Sequence, residues 1–281
     1  MEYRALGKTG RSLSVVGFGG IVVRNEEPAA ADALVARAIE RGINYFDVAP
    51  SYGDAEVRLG QALRPYREQV FLAGKTGHRD AAGSAEELQA TLRNLQTSYL
   101  DLYQFHGIMR LEEVEQIFAP GGAMETFLAA RDAGQIRNIG FSGHNEEAAL
   151  AMLERFPFAT VLFPINWITW LHGQTGPGIA ARTKELGIGL LALKGMAKRT
   201  WGEGEERIWP KCWYKPIADA EEAALAVRFT LSQSITAALP PGHAELLWRF
   251  CDIAEQYRPL SDEETNRLAT LSREVEPLFR G

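Results

Sequence analysis

Cysteine is nearly absent. Cys212 and Cys251 are the only two in 281 residues, and they show no metal-like spacing, so neither a disulfide framework nor a zinc site is expected. Positive charge is not in excess either: the formal net charge is -6, which argues against a general nucleic-acid binder or an anionic-membrane binder and leaves room only for a local basic pocket. No apolar run approaches the length of a membrane span, and Met1-Glu2-Tyr3-Arg4 lacks the charged segment and apolar core of a secretory signal. A cytoplasmic protein is the expectation. No linker rich in Pro, Ser or Gly, no shift in composition and no strong internal repeat divides the chain, so residues 1–281 are read as one domain. What is present, 46 % hydrophobic and 23 % charged residues, suits a chain that buries one large core.

Residues 3–13 carry Gly7, Thr9 and Gly10 between two short strand-like pieces, which predicts a hairpin that plugs a surface ahead of the main fold. An apolar, glycine-ended strand over 14–20 and a helix over 28–41 follow. The alternation then recurs, with strands at 43–48, 70–75, 100–106, 136–142, 159–165, 188–194 and 235–239. Helices are expected at 55–64, 84–97, 122–133, 146–155, 176–186, 219–232 and 243–256. Eight strand-helix units at about 30-residue spacing predict an α/β fold, a (β/α)8 TIM barrel, with a doubly wound sheet as the alternative. Ser261-Asp262-Glu263-Glu264 predicts the cap of an extra C-terminal helix reaching about Leu278. The longest irregular stretch, 195–218, holds Trp201, Trp209, Trp213 and Tyr214, and a loop of that length is usually functional or mobile.

In such a barrel the site lies at the C-terminal strand ends. Strand two delivers Asp47, with Tyr52 in the Pro50-Ser51-Tyr52-Gly53 turn after it; strand three delivers Lys75 and strand four His106. Asp47 sits among apolar neighbours, where a carboxylate is costly without a cationic partner, and Lys75 is that partner. An ammonium beside a phenol lowers the phenol's pKa toward a working range, so Tyr52 becomes the candidate proton donor and His106 a hydrogen-bond donor to a carbonyl oxygen. Taken singly, each has a plain structural explanation: a turn cap, a solvated lysine, a satisfied core histidine. Four of them at three successive strand ends are harder to explain that way.

Phe46-Asp47-Val48-Ala49-Pro50-Ser51-Tyr52-Gly53, Gly74-Lys75-Thr76, Asp101-Leu102-Tyr103-Gln104-Phe105-His106 and Ile139-Gly140-Phe141-Ser142 together resemble the aldo-keto reductase family, as does the opening Arg4-Ala5-Leu6-Gly7-Lys8-Thr9-Gly10. The likeness runs from residue 3 to about 170. It implies a barrel that binds a nicotinamide cofactor without a Rossmann domain, and a tetrad of Asp47, Tyr52, Lys75 and His106 in which the tyrosine protonates the carbonyl oxygen as hydride arrives. NADP is the cofactor the resemblance implies, with NAD the alternative.

The chain departs from the family's pattern on the far side. Ser142 remains, but Gly143 replaces an asparagine, and Asn166 or Asn145 is the substitute for the carboxamide contact. After strand seven, Leu193-Lys194-Gly195-Met196 replaces an aromatic followed by Ser-Pro-Leu, and Lys194 is expected to face the cofactor's phosphates. Gly242, ahead of a helix, can present backbone N–H groups to a phosphate, and Arg249 is the nearest guanidinium for a 2'-phosphate. The expected cofactor contacts are therefore Gly19, Gly20, Ser142, Asn166, Lys194, Gly195 and Gly242. His144, Ile108, Met109, Trp167, Trp170, Trp201, Trp209 and Trp213 are candidate walls for a small carbonyl substrate of apolar or aromatic character. The reading is a carbonyl reductase; the alternatives are a cofactor-binding sensor with little turnover and a barrel lyase or isomerase using Lys75 as a Schiff base.

Overall fold

The computed structural model describes residues 1–280. Two short antiparallel strands, β1 (Tyr3–Ala5) and β2 (Ser12–Ser14), form the N-terminal hairpin. Eight parallel strands follow: β3 (Phe18–Gly19), β4 (Tyr45–Asp47), β5 (Phe71–Thr76), β6 (Leu100–Ile108), β7 (Ile136–Gly143), β8 (Thr160–Pro164), β9 (Gly189–Leu193) and, after a second hairpin of β10 (Ala197–Thr200) with β11 (Tyr214–Pro216), β12 (Ala237–Leu239). They run in the order β12-β9-β8-β7-β6-β5-β4-β3. A parallel bridge of Val16 with Ala238, flanked by Gly17 N–H to Ala238 O and Ala238 N–H to Val15 O, both at 2.9 Å, joins the first strand segment to the last and closes the barrel.

The helices are α1 (Pro28–Glu40), α2 (Ala55–Leu63), α3 (Ala81–Asn94), α4 (Leu111–Phe118), α5 (Ala123–Asp132), α6 (Glu146–Arg155), α7 (Trp167–Leu171), α8 (Pro177–Leu186), α9 (Ala220–Ser232), α10 (Ala244–Glu255) and α11 (Asp262–Ser272). Their ends follow local chemistry. Asp80, Asn145 and Asp219 accept backbone N–H groups at the starts of α3, α6 and α9, and Ser261 with Glu264 makes a reciprocal capping pair at α11.

The strand period of two separates two cores. Inside the barrel, Tyr45, Phe71, Ala73, Leu102, Leu162, Leu191 and Ala237 meet Leu6 and Leu13 of the hairpin, which close the floor. Outward residues such as Phe46, Leu72, Tyr103, Phe105 and Phe141 pack against the helices, with Phe105 stacked on Phe127 of α5 at 3.9 Å. The hairpin holds its place through Gly7, whose φ of 49° and close approach to the backbone of Gly189 exclude a side chain.

Four expectations need adjustment. The first barrel strand is only Phe18–Gly19, because residues 14–17 serve the hairpin and the closing bridge. Residues 195–218 contain the β10–β11 hairpin and are not irregular throughout. Two helices were not expected: α4, whose Glu113 folds back on the Met109 and Arg110 N–H groups, and the single-turn-plus α7. The last helix stops at Ser272, short of Leu278.

Candidate active site

The stretch from Tyr45 to Gly53 builds half of the site. β4 carries Tyr45 and Asp47 on its inner face, a 3-10 turn over Pro50–Tyr52 folds the phenol back over the mouth, and Gly53 ends the turn at φ 66°. The Asp47 Oδ1 atom pairs with the Lys75 ammonium, and both groups are buried. Oδ2 accepts the Tyr45 hydroxyl at 3.1 Å and the Gln104 amide N–H at 2.9 Å. The Lys75 Nζ atom lies 5.5 Å from the centre of the Tyr52 ring, and the His106 ring stands edge-on to that ring at 6.0 Å.

Asp47, Tyr52, Lys75 and His106 share one cavity of about 200 Å³, whose wall also includes Gly19, Ser142, His144, Leu193, Lys194 and Gly242. Asp47 is the one carboxylate on that wall among the described residues. The four expected catalytic residues therefore meet, together with four of the seven expected cofactor contacts. The other three stand apart. Gly20 packs against Val48, and Gly195 faces Thr230. Asn166 is a correction: its amide donates to Lys194 O and Ala197 O, both at 2.8 Å, and its oxygen accepts the N–H groups of Ile168 and Thr169. All four of its hydrogen-bonding positions are used within the chain, so none is left for a carboxamide. Asn145 is spent as the cap of α6, and Arg249 donates to Ala218 O.

Electrostatics divides the cavity. Burial drives the Tyr52 phenol's pKa up, and the Lys75 cation beside it pulls part of the way back. For Lys75 itself burial acts downward, but the opposing charges of Asp47 and Tyr52 outweigh it and the ammonium is held above its ordinary value. Burial, with the Lys75 cation and the neighbouring His144, Arg79 and Lys194 adding to it, pushes His106 down to about 3, so its imidazole is neutral at physiological pH. His144 falls to about 4 by burial and by Lys194.

Lys194 sits at the end of β9 with a left-handed φ of 71°, a costly backbone that Asn166 secures by gripping its carbonyl. Its ammonium lies 4.5 Å from the Tyr214 ring centre and 5.1 Å from that of Trp213. Among the described residues it has no carboxylate partner, and burial lowers it to about 8. Nearby, Lys211 donates to Val22 O at 2.7 Å and Glu26 at 2.6 Å, which fastens residues 201–213 across the mouth to the loop after β3.

Of the aromatic candidates, Trp213 and His144 line the cavity, and Phe279 from the C-terminal segment packs on both at 6.2 and 5.1 Å. The others are structural. Trp167 and Ile108 are in the core, Trp170 packs on Phe229, Trp201 and Trp209 bond Cys212 O and Glu245, and Met109 is exposed on the surface. Sequence reasoning missed Tyr45, Gln104, Lys211 and Cys212. The first two were within reach: each lies two residues before a chosen one, Asp47 or His106, and so shares its face.

Comparison with known proteins places the family and the fold. The family model described as "Aldo/keto reductase family" matches residues 15–199, about two thirds of the chain. The aldo-keto reductase YhdN of Bacillus subtilis is 31 % identical over 185 residues, 59 % of this chain and 54 % of that protein; L-galactose dehydrogenase of Arabidopsis thaliana is 28 % identical over 213 residues, 70 % and 66 % of the two chains. The match thus spans about half the length of YhdN. Among solved structures, an aldo-keto reductase of Bacillus halodurans in its holo form superposes with a TM-score of 0.76 at 22 % identity over the whole of both chains, a likeness of fold. With the family model spanning more than half of its length, the chain belongs to the aldo/keto reductase family.

Proposed function

We propose that the protein is an NAD(P)-dependent oxidoreductase that reduces the carbonyl of an aldehyde or ketone to an alcohol, with Tyr52 as the general acid. One observation supports this above all others. Tyr52 and His106 converge on one small cavity, and the buried Lys75–Asp47 pair stands directly behind the phenol. Lys75 draws the phenol's proton toward release, Asp47 holds Lys75 in place, and neutral His106 donates a hydrogen bond that orients the carbonyl oxygen. When bound, the reduced nicotinamide would supply the hydride.

The wall fits such a cofactor. Lys194 brings a cation with no carboxylate partner among the described residues, Gly19 has open space before it, and the Gly242 backbone and the Ser142 hydroxyl complete the polar contacts. Lys194 therefore faces the cofactor's phosphates in this reading. NADP is the working choice from the family, although Arg249 is already bonded elsewhere. Trp213, His144 and Phe279 favour a carbonyl compound with an apolar or aromatic body. A Schiff base at Lys75 is disfavoured, because its ammonium is held protonated by Asp47.

Fluorescence titration with NADPH and NADH, followed by a screen of carbonyl substrates with wild type and Tyr52→Phe, tests the reading. Binding of one cofactor at micromolar levels and loss of about 10²- to 10⁴-fold in kcat on removing the hydroxyl are expected. Absence of binding by either cofactor removes the reductase. Tight binding with no turnover of any carbonyl favours the sensor, for which the aliphatic Leu193 on the cavity wall is the supporting observation.

A further inference from the structure

We propose that Tyr45 and Gln104, which touch neither mouth nor solvent, are positioning residues for proton donation: they divide the charge of Asp47 so that it steadies Lys75 without cancelling the pull of Lys75 on Tyr52. The inference rests on the assignment of Tyr52 as the acid. Its starting point is the uneven use of the carboxylate. Oδ1 is given wholly to Lys75, while Oδ2 takes two neutral donors, the Tyr45 hydroxyl at 3.1 Å and the Gln104 amide at 2.9 Å. All four groups are buried, in a medium where hydrogen bonds to a charged oxygen are roughly twice as strong as neutral ones.

The Gln104 amide shows what this arrangement costs. Its Oε1 atom is buried with no hydrogen-bond partner among the described residues, an uncommon state for a core amide. Turning the amide over would place that oxygen against Asp47 Oδ2 and remove a donor from a charged acceptor, so the ionised Asp47 fixes which way the amide faces. A glutamine that leaves its own acceptor unmet in order to serve Asp47 is placed for Asp47 and not for the barrel's general stability. Tyr45 is suited to the same task, since burial and the nearby Asp47 hold its phenol far above the ordinary value and keep it a donor at every working pH.

The consequence for Tyr52 has a definite sign. Asp47 pushes the Tyr52 pKa up and Lys75 pulls it down. Removing a donor from Oδ2 leaves the carboxylate with more unshared charge. Lys75 is then more fully neutralised, and Tyr52 becomes a weaker acid.

The test uses Gln104→Leu and Tyr45→Phe in the whole protein, with Tyr52→Phe as control. Each removes one donor, and Tyr45→Phe keeps the aromatic packing with Phe71 should Gln104→Leu fold poorly. The pH profile of kcat/KM for carbonyl reduction is expected to show its basic limb moved upward by roughly half a unit to one unit, with the plateau about 3- to 10-fold lower. Ultraviolet titration of tyrosinate, taken as the difference from Tyr52→Phe, should show the same upward movement without turnover. A lower plateau with both limb and tyrosinate titration unmoved in a folded Tyr45→Phe would mean a purely structural role and overturn the proposal. Should Tyr52→Phe itself retain full reduction, the assignment of Tyr52 as the acid falls, a result that the control reads separately.

Discussion

The two sides of the barrel mouth handle charge in opposite ways. On the side of β4, β5 and β6, Asp47 and Lys75 neutralise each other inside the protein, and four side chains from three strands bond directly to one another. Across the cavity, at the end of β9, Lys194 carries a cation that the described residues leave without a carboxylate, set on a left-handed backbone and covered by aromatic rings. The first side is complete as it stands and is built on a rigid sheet. The second holds charge in reserve, and a desolvated ammonium of that kind is relieved by an anion from outside the chain.

The largest effect that would break this contrast is expected from Lys75→Met. Removing one partner of a buried pair leaves Asp47 uncompensated, at a cost of about 3–5 kcal/mol in stability, readable as a lower urea midpoint. A variant as stable as wild type would show that the two sides do not differ as described.

Asn166→Ala comes next. It strips the cap of α7 and frees the Lys194 and Ala197 carbonyls, so a loss of roughly 2–4 kcal/mol is expected, together with weaker dinucleotide binding as Lys194 loses its anchor. Unchanged affinity in a folded protein would separate the Lys194 backbone from its task.

For Lys194→Met the fold should persist, and dinucleotide affinity should fall about 10-fold, the worth of one charge-assisted contact. The sign with pH follows from the same group. Lys194 is charged below about 8, so wild-type affinity should weaken as the pH rises through that value, while Lys194→Met binds with no such dependence. Isothermal titration at several pH values reads both. The smallest effect belongs to the rim: Trp213 is half exposed, and Trp213→Ala should raise KM for aromatic carbonyl compounds a few-fold, on the order of 1 kcal/mol, and leave kcat nearly unchanged.

Much of the barrel was legible because its signals are local. The strand-helix alternation, Pro28 at the start of α1, Ser261 with Glu264 at α11, and the polar residues closing otherwise apolar strands all fall within a few residues of what they specify. Helix α4 was legible in the same way, through its run of Leu111, Val114 and Ile117, but was passed over between two stronger elements. The β10–β11 hairpin was not, since its strands are separated by a long connection and carry Lys, Arg and Pro with no alternating apolar pattern.

By itself, the sequence determined which side chains would stand at the strand ends, because the two-residue period fixes the face of Asp47, Lys75 and His106 once each strand is placed. The tertiary structure alone decided what each of them touches. Whether the amide of a strand-end asparagine is free for a ligand or is taken up by the chain, as that of Asn166 is by Lys194 O and Ala197 O, and whether a lysine finds a carboxylate, as Lys75 does and as Lys194 does not among the described residues, depends on groups tens of residues away. A buried polar group is governed by those partners, and only the closed barrel brings them within 3 Å of one another.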